Sequence, residues 1–299
     1  MTDFIKPFML KEGLFRGEVV RVSKTIKEIM KRRSYPKPVA ELMSEAVVLS
    51  ALLSSGLKYD GIFTLQIKSK EGAISDIVAD ITSEGKVRAY AKFDSSALED
   101  IQPSEIKDRG YVPSLLKAGY MDFTIDTAGG TERYQGMVEL EGDTLATCAV
   151  NYFNRSEQLK TAIKIATDGK SAGGIMLQQM PISGGKKQTK LAKDEIADEW
   201  NTDVILLASL KDKEMLDDKL RPEDLLYRLY HEQDITVYPE KKLFFGCRCS
   251  EERIKAVLKT LPEEDLKAAT KKGKINMTCE FCGTSYYIDA TEIKESKQK

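Results

Sequence analysis

The chain is 299 residues long and 41% hydrophobic, with 46 Lys or Arg against 47 Asp or Glu and a formal net charge of -1. That length holds one cored domain of ordinary size plus something smaller, and the balanced charge gives no global attraction to nucleic acid or an anionic membrane. Residues 1–10 have no long apolar core after a basic start and no small-residue cleavage site, and no apolar run is expected to span a bilayer, so a cytoplasmic protein is expected.

In chain order, residues 23–31 and 38–55 read as helices. The second starts with Pro38 in the tolerated first turn, carries Leu42, Met43, Ala46, Leu49 and Leu53 at helical spacing, and stops at Gly56. Residues 62–68, 74–81 and 86–93 are β-branched and aromatic runs separated by Lys70-Glu71-Gly72 and Ser83-Glu84-Gly85, which predicts an antiparallel meander. Further strands are predicted at 120–125, 134–140 and 162–166, with a helix over 143–156. The expected class is α+β, with an N-terminal domain of antiparallel sheet and packed helices over 1–182.

After Pro181 the composition shifts. Ser183-Gly184-Gly185-Lys186-Lys187-Gln188 is polar, and 193–230 reads as short charged helices with limited apolar faces. The last of these opens on Pro222 with Glu223 and Asp224 opposing the positive helix end, and Leu225, Leu226 and Leu229 form its stripe. This helical linker, 183–240, packs only if it has a surface to pack on. Extended stretches at 235–238 and 243–245 lead into a small C-terminal domain, 241–299.

Four of the five cysteines fall in that domain, as Cys247-Arg248-Cys249 and Cys279-Glu280-Phe281-Cys282. Two close thiol pairs can each aim two sulfurs at one point, which is what a tetrahedral Zn²⁺ site requires. In reducing cytosol such pairs read as metal ligands or redox groups, not as a permanent disulfide frame. Between them Ser250 can cap a helix with Glu251 and Glu252 in its first turn and Ile254, Val257 and Leu258 on one face, closed by Pro262. A second short helix follows, and then the strand 275–278 enters the Cys279–Cys282 turn and 286–288 leaves it, a knuckle between two strands.

Magnitudes assign the metal its role. A piece as short as 247–299 draws about 3–5 kcal/mol at most from its own core, whereas structural zinc contributes about 10–16 kcal/mol that exists only in the folded form. A disulfide closing three or four residues constrains the unfolded chain by only about 2 kcal/mol, so oxidation is expected to unfold the module. Over 247–299 there are 11 Lys or Arg and 9 Asp or Glu, and Lys271, Lys272 and Lys274 form the only basic cluster. That is a poor phosphate-gripping stripe.

At this point the chain resembles the heat shock protein 33 family of redox-regulated bacterial chaperones. The resemblance rests on the cysteine spacing and on stretches spread over nearly the whole chain. These are Tyr134-Gln135-Gly136 with Leu140 to Ala146, Tyr152-Phe153 with Arg155 to Leu159, Ala172-Gly173-Gly174 to Pro181, and Leu229-Tyr230-His231-Glu232. It implies an ATP-independent holdase with Cys247, Cys249, Cys279 and Cys282 as ligands of one Zn²⁺ in an inactive reduced form. It further implies that oxidants bridge Cys247 to Cys249 and Cys279 to Cys282, release the zinc, unfold the switch and linker, expose surface for unfolding clients, and favour a homodimer. Neither enzymatic activity nor nucleic-acid, membrane or ATP binding is expected. Two rival readings are a thiol-disulfide oxidoreductase using Cys279 and Cys282, and a zinc ribbon for nucleic acid.

Other residues are assigned to structure. Cys148, with Leu145, Ala149 and Tyr152 at helical spacing, reads as a core thiol, and His231, the only histidine, as a helix-end residue. Gly169-Lys170-Ser171 lacks the leading glycine of a phosphate loop, since Lys164 stands there. Gly129-Gly130 and Gly173-Gly174 read as turns or close backbone approaches, and Trp200 as a packing anchor of the linker.

Overall fold

The computed structural model describes residues 3–57, 59–127, 133–181 and 192–297. Gly129-Gly130, the stretch 183–188 and the expected 182/183 boundary lie outside the described residues.

The chain opens with two strands that the sequence reading did not foresee, β1 (Asp3–Leu10) and β2 (Phe15–Val22). Helices α1 (Lys24–Arg32) and α2 (Lys37–Ser55) follow, and then the meander β3 (Gly61–Ser69), β4 (Ile74–Thr82) and β5 (Lys86–Phe93). Short helices α3 (Ser95–Glu99) and α4 (Pro103–Arg109) lead to β6 (Gly119–Thr127) and β7 (Arg133–Glu139). Next come α5 (Leu145–Tyr152), β8 (Thr161–Thr167) and β9 (Ala172–Gln179). The linker contributes α6 (Lys193–Ser209), α7 (Asp212–Leu216), α8 (Pro222–Tyr230) and β10 (Ile235–Val237), followed by β11 (Lys241–Phe245).

Among the described residues these strands form one 11-stranded sheet, in the order β7-β6-β3-β4-β5-β11-β1-β2-β9-β8, with β10 also pairing with β1. Every neighbouring pair is antiparallel except β11 and β5, where Phe244 and Phe245 run parallel to Lys86 and Val87. That late strand, from the stretch assigned at sequence level to the linker–switch junction, stitches the N-terminal β1–β2 half to the meander half.

Helix α2 sits at the centre and touches strands of both halves. It is buried on all sides from Val39 to Ser54, which is why its apolar residues spread beyond one stripe. By length and composition α2 could cross a bilayer, contrary to the expectation from sequence, but 89% of the relevant window is buried inside the protein. Its serines bond back to the preceding turn, Ser44 and Ser50 to the carbonyls of Ala40 and Ala46 at 2.7 Å, so they enter the core without orphan hydroxyls.

The β1–β2–β9 part of the sheet is covered on both faces. Ile5, Val20, Val22 and Met176 face the α2 core, while Phe4, Phe8, Phe15, Val19, Ile175 and Leu177 face a second core with the linker helices. The linker supplies Ile196, Trp200, Leu207, Leu210, Met215, Leu225, Leu226, Leu229 and Tyr230 to that core. Arg21, buried on β2, reaches across with hydrogen bonds to the carbonyls of Met215 (3.0 Å) and Leu220 (2.7 Å). The linker therefore packs, and its limited apolar faces suffice because the sheet offers a waiting aromatic surface. The Gly173-Gly174 pair lies within β9, where a Cβ on Gly174 would meet Val48 at 2.7 Å and one on Gly173 the Met215 carbonyl at 3.0 Å. Close approach, not a turn, is their role.

One linker residue opposes this packing. Asp203 on α6 is fully buried, and neither carboxylate oxygen has a partner. Burial raises its pKa to about 6, with Lys11 pulling it down and Glu199 pushing it up. A raised folded-state pKa gives stability that is present below the ordinary carboxylate range and lost as pH rises through about 6. Asp203→Asn is thus expected to stabilise the linker core at pH 7.5 and to lose that advantage near pH 4. Urea denaturation followed by fluorescence of Trp200, the sole tryptophan, measures it.

Candidate metal centre

The C-terminal part beyond β11 is a small unit of its own sheet, β12 (Thr270–Lys271), β13 (Lys274–Thr278) and β14 (Ser285–Asp289), with helices α9 (Glu251–Thr260), α10 (Glu263–Ala269) and α11 (Ala290–Lys297). Ser250 caps α9 by accepting the Arg253 N–H at 3.3 Å. The buried apolar core of the unit is Leu258, Leu266, Ile275, Ile288 and Ile293.

Strands β13 and β14 form a hairpin whose tip carries Cys279 to Cys282. The Gly283 N–H bonds to the Cys279 carbonyl at 2.8 Å and the Cys279 N–H to the Thr284 carbonyl at 2.9 Å. The turn needs a left-handed residue, which Gly283 supplies at φ +71°. The other pair arrives on the extended segment after β11. The tip folds back between the two units, so that all four sulfurs meet within 4.8 Å of one another.

Sγ of Cys247 lies 3.4 Å from that of Cys249 and 3.7 Å from that of Cys279, and Cys249 lies 3.4 Å from Cys282. Four sulfurs about 2.3 Å from a tetrahedral zinc would be about 3.8 Å apart. None is joined in a disulfide. The residues thus suit a soft, four-coordinate ion. Around them Tyr286 donates its hydroxyl to Cys249 Sγ at 3.2 Å, and Thr284 Oγ1 lies 3.2 Å from Cys282 Sγ. The Tyr286 hydroxyl, as a donor, favours thiolate at Cys249, and both contacts orient the sulfurs they meet. Burial pushes Cys279 up to about 12. At Cys282 burial also acts upward, but hydrogen bonds from the Thr284 hydroxyl and backbone, with those from Cys249 and Cys247, outweigh it and bring the thiol to about 7.

The residues between the cysteines grip the large sheet, a role that the sequence reading missed. Arg248 Nη2 bonds to Asp80 Oδ2 on β4 at 2.6 Å, and Arg88 on β5 shares the same carboxylate at 2.7 Å. Thr64 donates to the other Asp80 oxygen at 2.8 Å. The Arg88 guanidinium lies over the Phe281 ring at 3.7 Å, Tyr90 meets Phe281 edge-on at 4.8 Å, and Arg33 pairs with Glu280. The available signal was an arginine and a phenylalanine placed inside ligand loops, where small polar residues would serve the metal alone.

The remaining candidates sit elsewhere. Cys148 is fully buried in the α2 core, its thiol pushed up to about 12 by burial and by the charges of Glu45 and Asp143. His231 ends α8 beside Tyr227, ring centroids 5.6 Å apart. Gly169-Lys170-Ser171 forms the β8–β9 turn, in which Asp168 Oδ1 accepts the N–H groups of Lys170 and Ser171.

A family profile described as Hsp33 protein matches residues 3–289. Proteins named 33 kDa chaperonin from Escherichia coli and Salmonella typhimurium are each 36% identical to the chain over 298 residues, covering 98% of it and 94% of theirs. The crystal structure of the 33 kDa chaperonin (heat shock protein 33 homolog) from Thermotoga maritima matches with a TM-score of 0.76 at 21% identity, over 100% of this chain and 98% of that one, a likeness of fold. Cys279→Ser takes away one of the four converging sulfurs and is expected to weaken the binding of added Zn²⁺ to the reduced protein, as read by competition with a chromogenic chelator.

Proposed function

This chain belongs to the Hsp33 family, and from that premise we propose that it is an ATP-independent holdase of the cytoplasm, switched by oxidation of its four C-terminal cysteines. The observation that carries the reading is the convergence of four unbridged sulfurs within 4.8 Å at the foot of a unit with a five-residue core. Cys247, Cys249, Cys279 and Cys282 would hold one Zn²⁺, which when bound ties the two halves of the small unit together.

On oxidation, each thiolate pair gives two electrons to a peroxide or hypochlorous acid. A sulfur–sulfur bond forms within Cys247–Cys249 and within Cys279–Cys282. With hydrogen peroxide the O–O bond breaks and two protons are taken up to make two waters; with hypochlorous acid the O–Cl bond breaks, one proton is taken up, and water and chloride leave. Sulfurs tied in pairs would no longer serve as thiolate ligands and would not hold the ion. Two short-loop disulfides restore only about 2 kcal/mol each against the unfolded chain, far less than the zinc supplied, so the unit loses its fold.

Client capture follows from what the linker covers. Its helices lie on Phe4, Phe8, Phe15, Val19, Ile175 and Leu177, and their own Leu225, Leu226, Leu229 and Tyr230 face inward. Release would bare a contiguous apolar surface of the kind that binds non-native chains or a second copy. The proposed division is therefore a chaperone domain over 1–182, a covering linker over 183–240 and a switch over 241–299. No catalysis, nucleic acid or membrane enters this reading.

Treatment with peroxide under mild warming, or with hypochlorous acid, is expected to release about one zinc per chain and to create suppression of light scattering by a heat-unfolding client. Zinc release with no gain in suppression would remove the chaperone reading. Sizing by light scattering should show a dimer in the oxidised form alone.

A further inference from the structure

The contact between the two units is unbalanced in charge. Asp80, 3% exposed, is the one carboxylate shared by Arg88 and Arg248, so the trio carries a net +1. Two nitrogens of Arg248, Nε and Nη1, are buried without a hydrogen-bond partner, and only Nη2 is engaged. A guanidinium so placed is costly unless a further negative charge stands nearby. Arg248 is flanked in sequence by Cys247 and Cys249. Four thiolates on Zn²⁺ carry a net -2, and the disulfide state carries none.

We infer that the Arg88–Asp80–Arg248 cluster is a charge-selective dock, which grips the small unit while the cysteine centre is a metal-bound dianion and lets it go once the sulfurs are oxidised. This rests on the reading of the four cysteines as a zinc tetrathiolate. On oxidation two electrons leave each thiolate pair for the oxidant and one S–S bond forms per pair, so that the cysteines would hold neither Zn²⁺ nor its two positive charges. The sum over Asp80, Arg88, Arg248 and the cysteine centre would then change from -1 to +1, with Arg253 adding a further positive charge beside Arg248, and the shared carboxylate would no longer suffice for the arginines. Phe281 lies over Arg88 and against Tyr90, so it would leave with the knuckle and uncover the β4–β5 face.

Coupling of this kind is reciprocal: if the dianion holds the dock closed, the dock holds the metal in. The test is zinc affinity, measured by competition with a chromogenic chelator on the full reduced chain. Arg88→Gln changes no ligand and no residue of the small unit, yet it is expected to weaken zinc binding about tenfold, the scale of one lost charge at short range. Arg88→Lys, which keeps the charge, is expected to restore most of the affinity. Arg248→Gln should act like Arg88→Gln and carries the test if the latter fails to fold. Zinc affinity unchanged in a folded glutamine variant, or equally weakened in Arg88→Lys, would overturn the charge-selective dock while leaving the metal site standing. A parent chain that binds no zinc would overturn both.

Discussion

Four sulfurs brought within bonding distance of one point are the constraint on which the C-terminal unit depends. Leu258, Leu266, Ile275, Ile288 and Ile293 are too few to offset the conformational entropy of some fifty residues. The two halves of the sulfur cluster lie on separate pieces of chain, the segment after β11 and the tip of the β13–β14 hairpin, which meet at the four sulfurs. An ion closing that gap would make the fold of the unit conditional on the electronic state of its ligands. Such a fold is suited to sensing oxidants, because the bond that senses is also the one that supports.

The larger body is arranged so that this condition can spread. Its sheet is covered on one face by α2, a fully buried helix that the chain cannot remove without unfolding. Around β1, β2 and β9 the other face is covered by linker helices of modest apolar content that carry the unpartnered, buried Asp203. Stability is therefore expected to be graded across the larger body, higher around α2 than where the linker meets Phe4, Phe8 and Phe15. Strand β11 ties the two regimes together: it pairs with β1 and β5 and then runs directly into Cys247.

Much of this was legible in the sequence where local pattern and tertiary context agree. The meander β3–β5 announced itself by alternating runs and glycine turns, α2 by its proline start and glycine stop, α9 by the Ser250 cap, and the metal centre by its spacing. Strands β1, β2 and β9 were hidden because both of their faces are buried, against α2 and the linker. Their side chains, including Arg21 and the Gly173-Gly174 pair, answer two different neighbours and so lack a simple period. The Asp80–Arg88–Arg248 contact was invisible for another reason: its members lie far apart in the chain, and only the fold shows that the residues between the ligands have a partner.

The most direct test of the account is amide hydrogen exchange on the reduced chain before and after zinc is removed by a chelator, with thiols kept reduced throughout. The account predicts that β13, β14 and α9 lose their protection when the ion leaves, while α2 and β3–β5 keep theirs. Retained protection across the β13–β14 hairpin in the metal-free, reduced protein would contradict it.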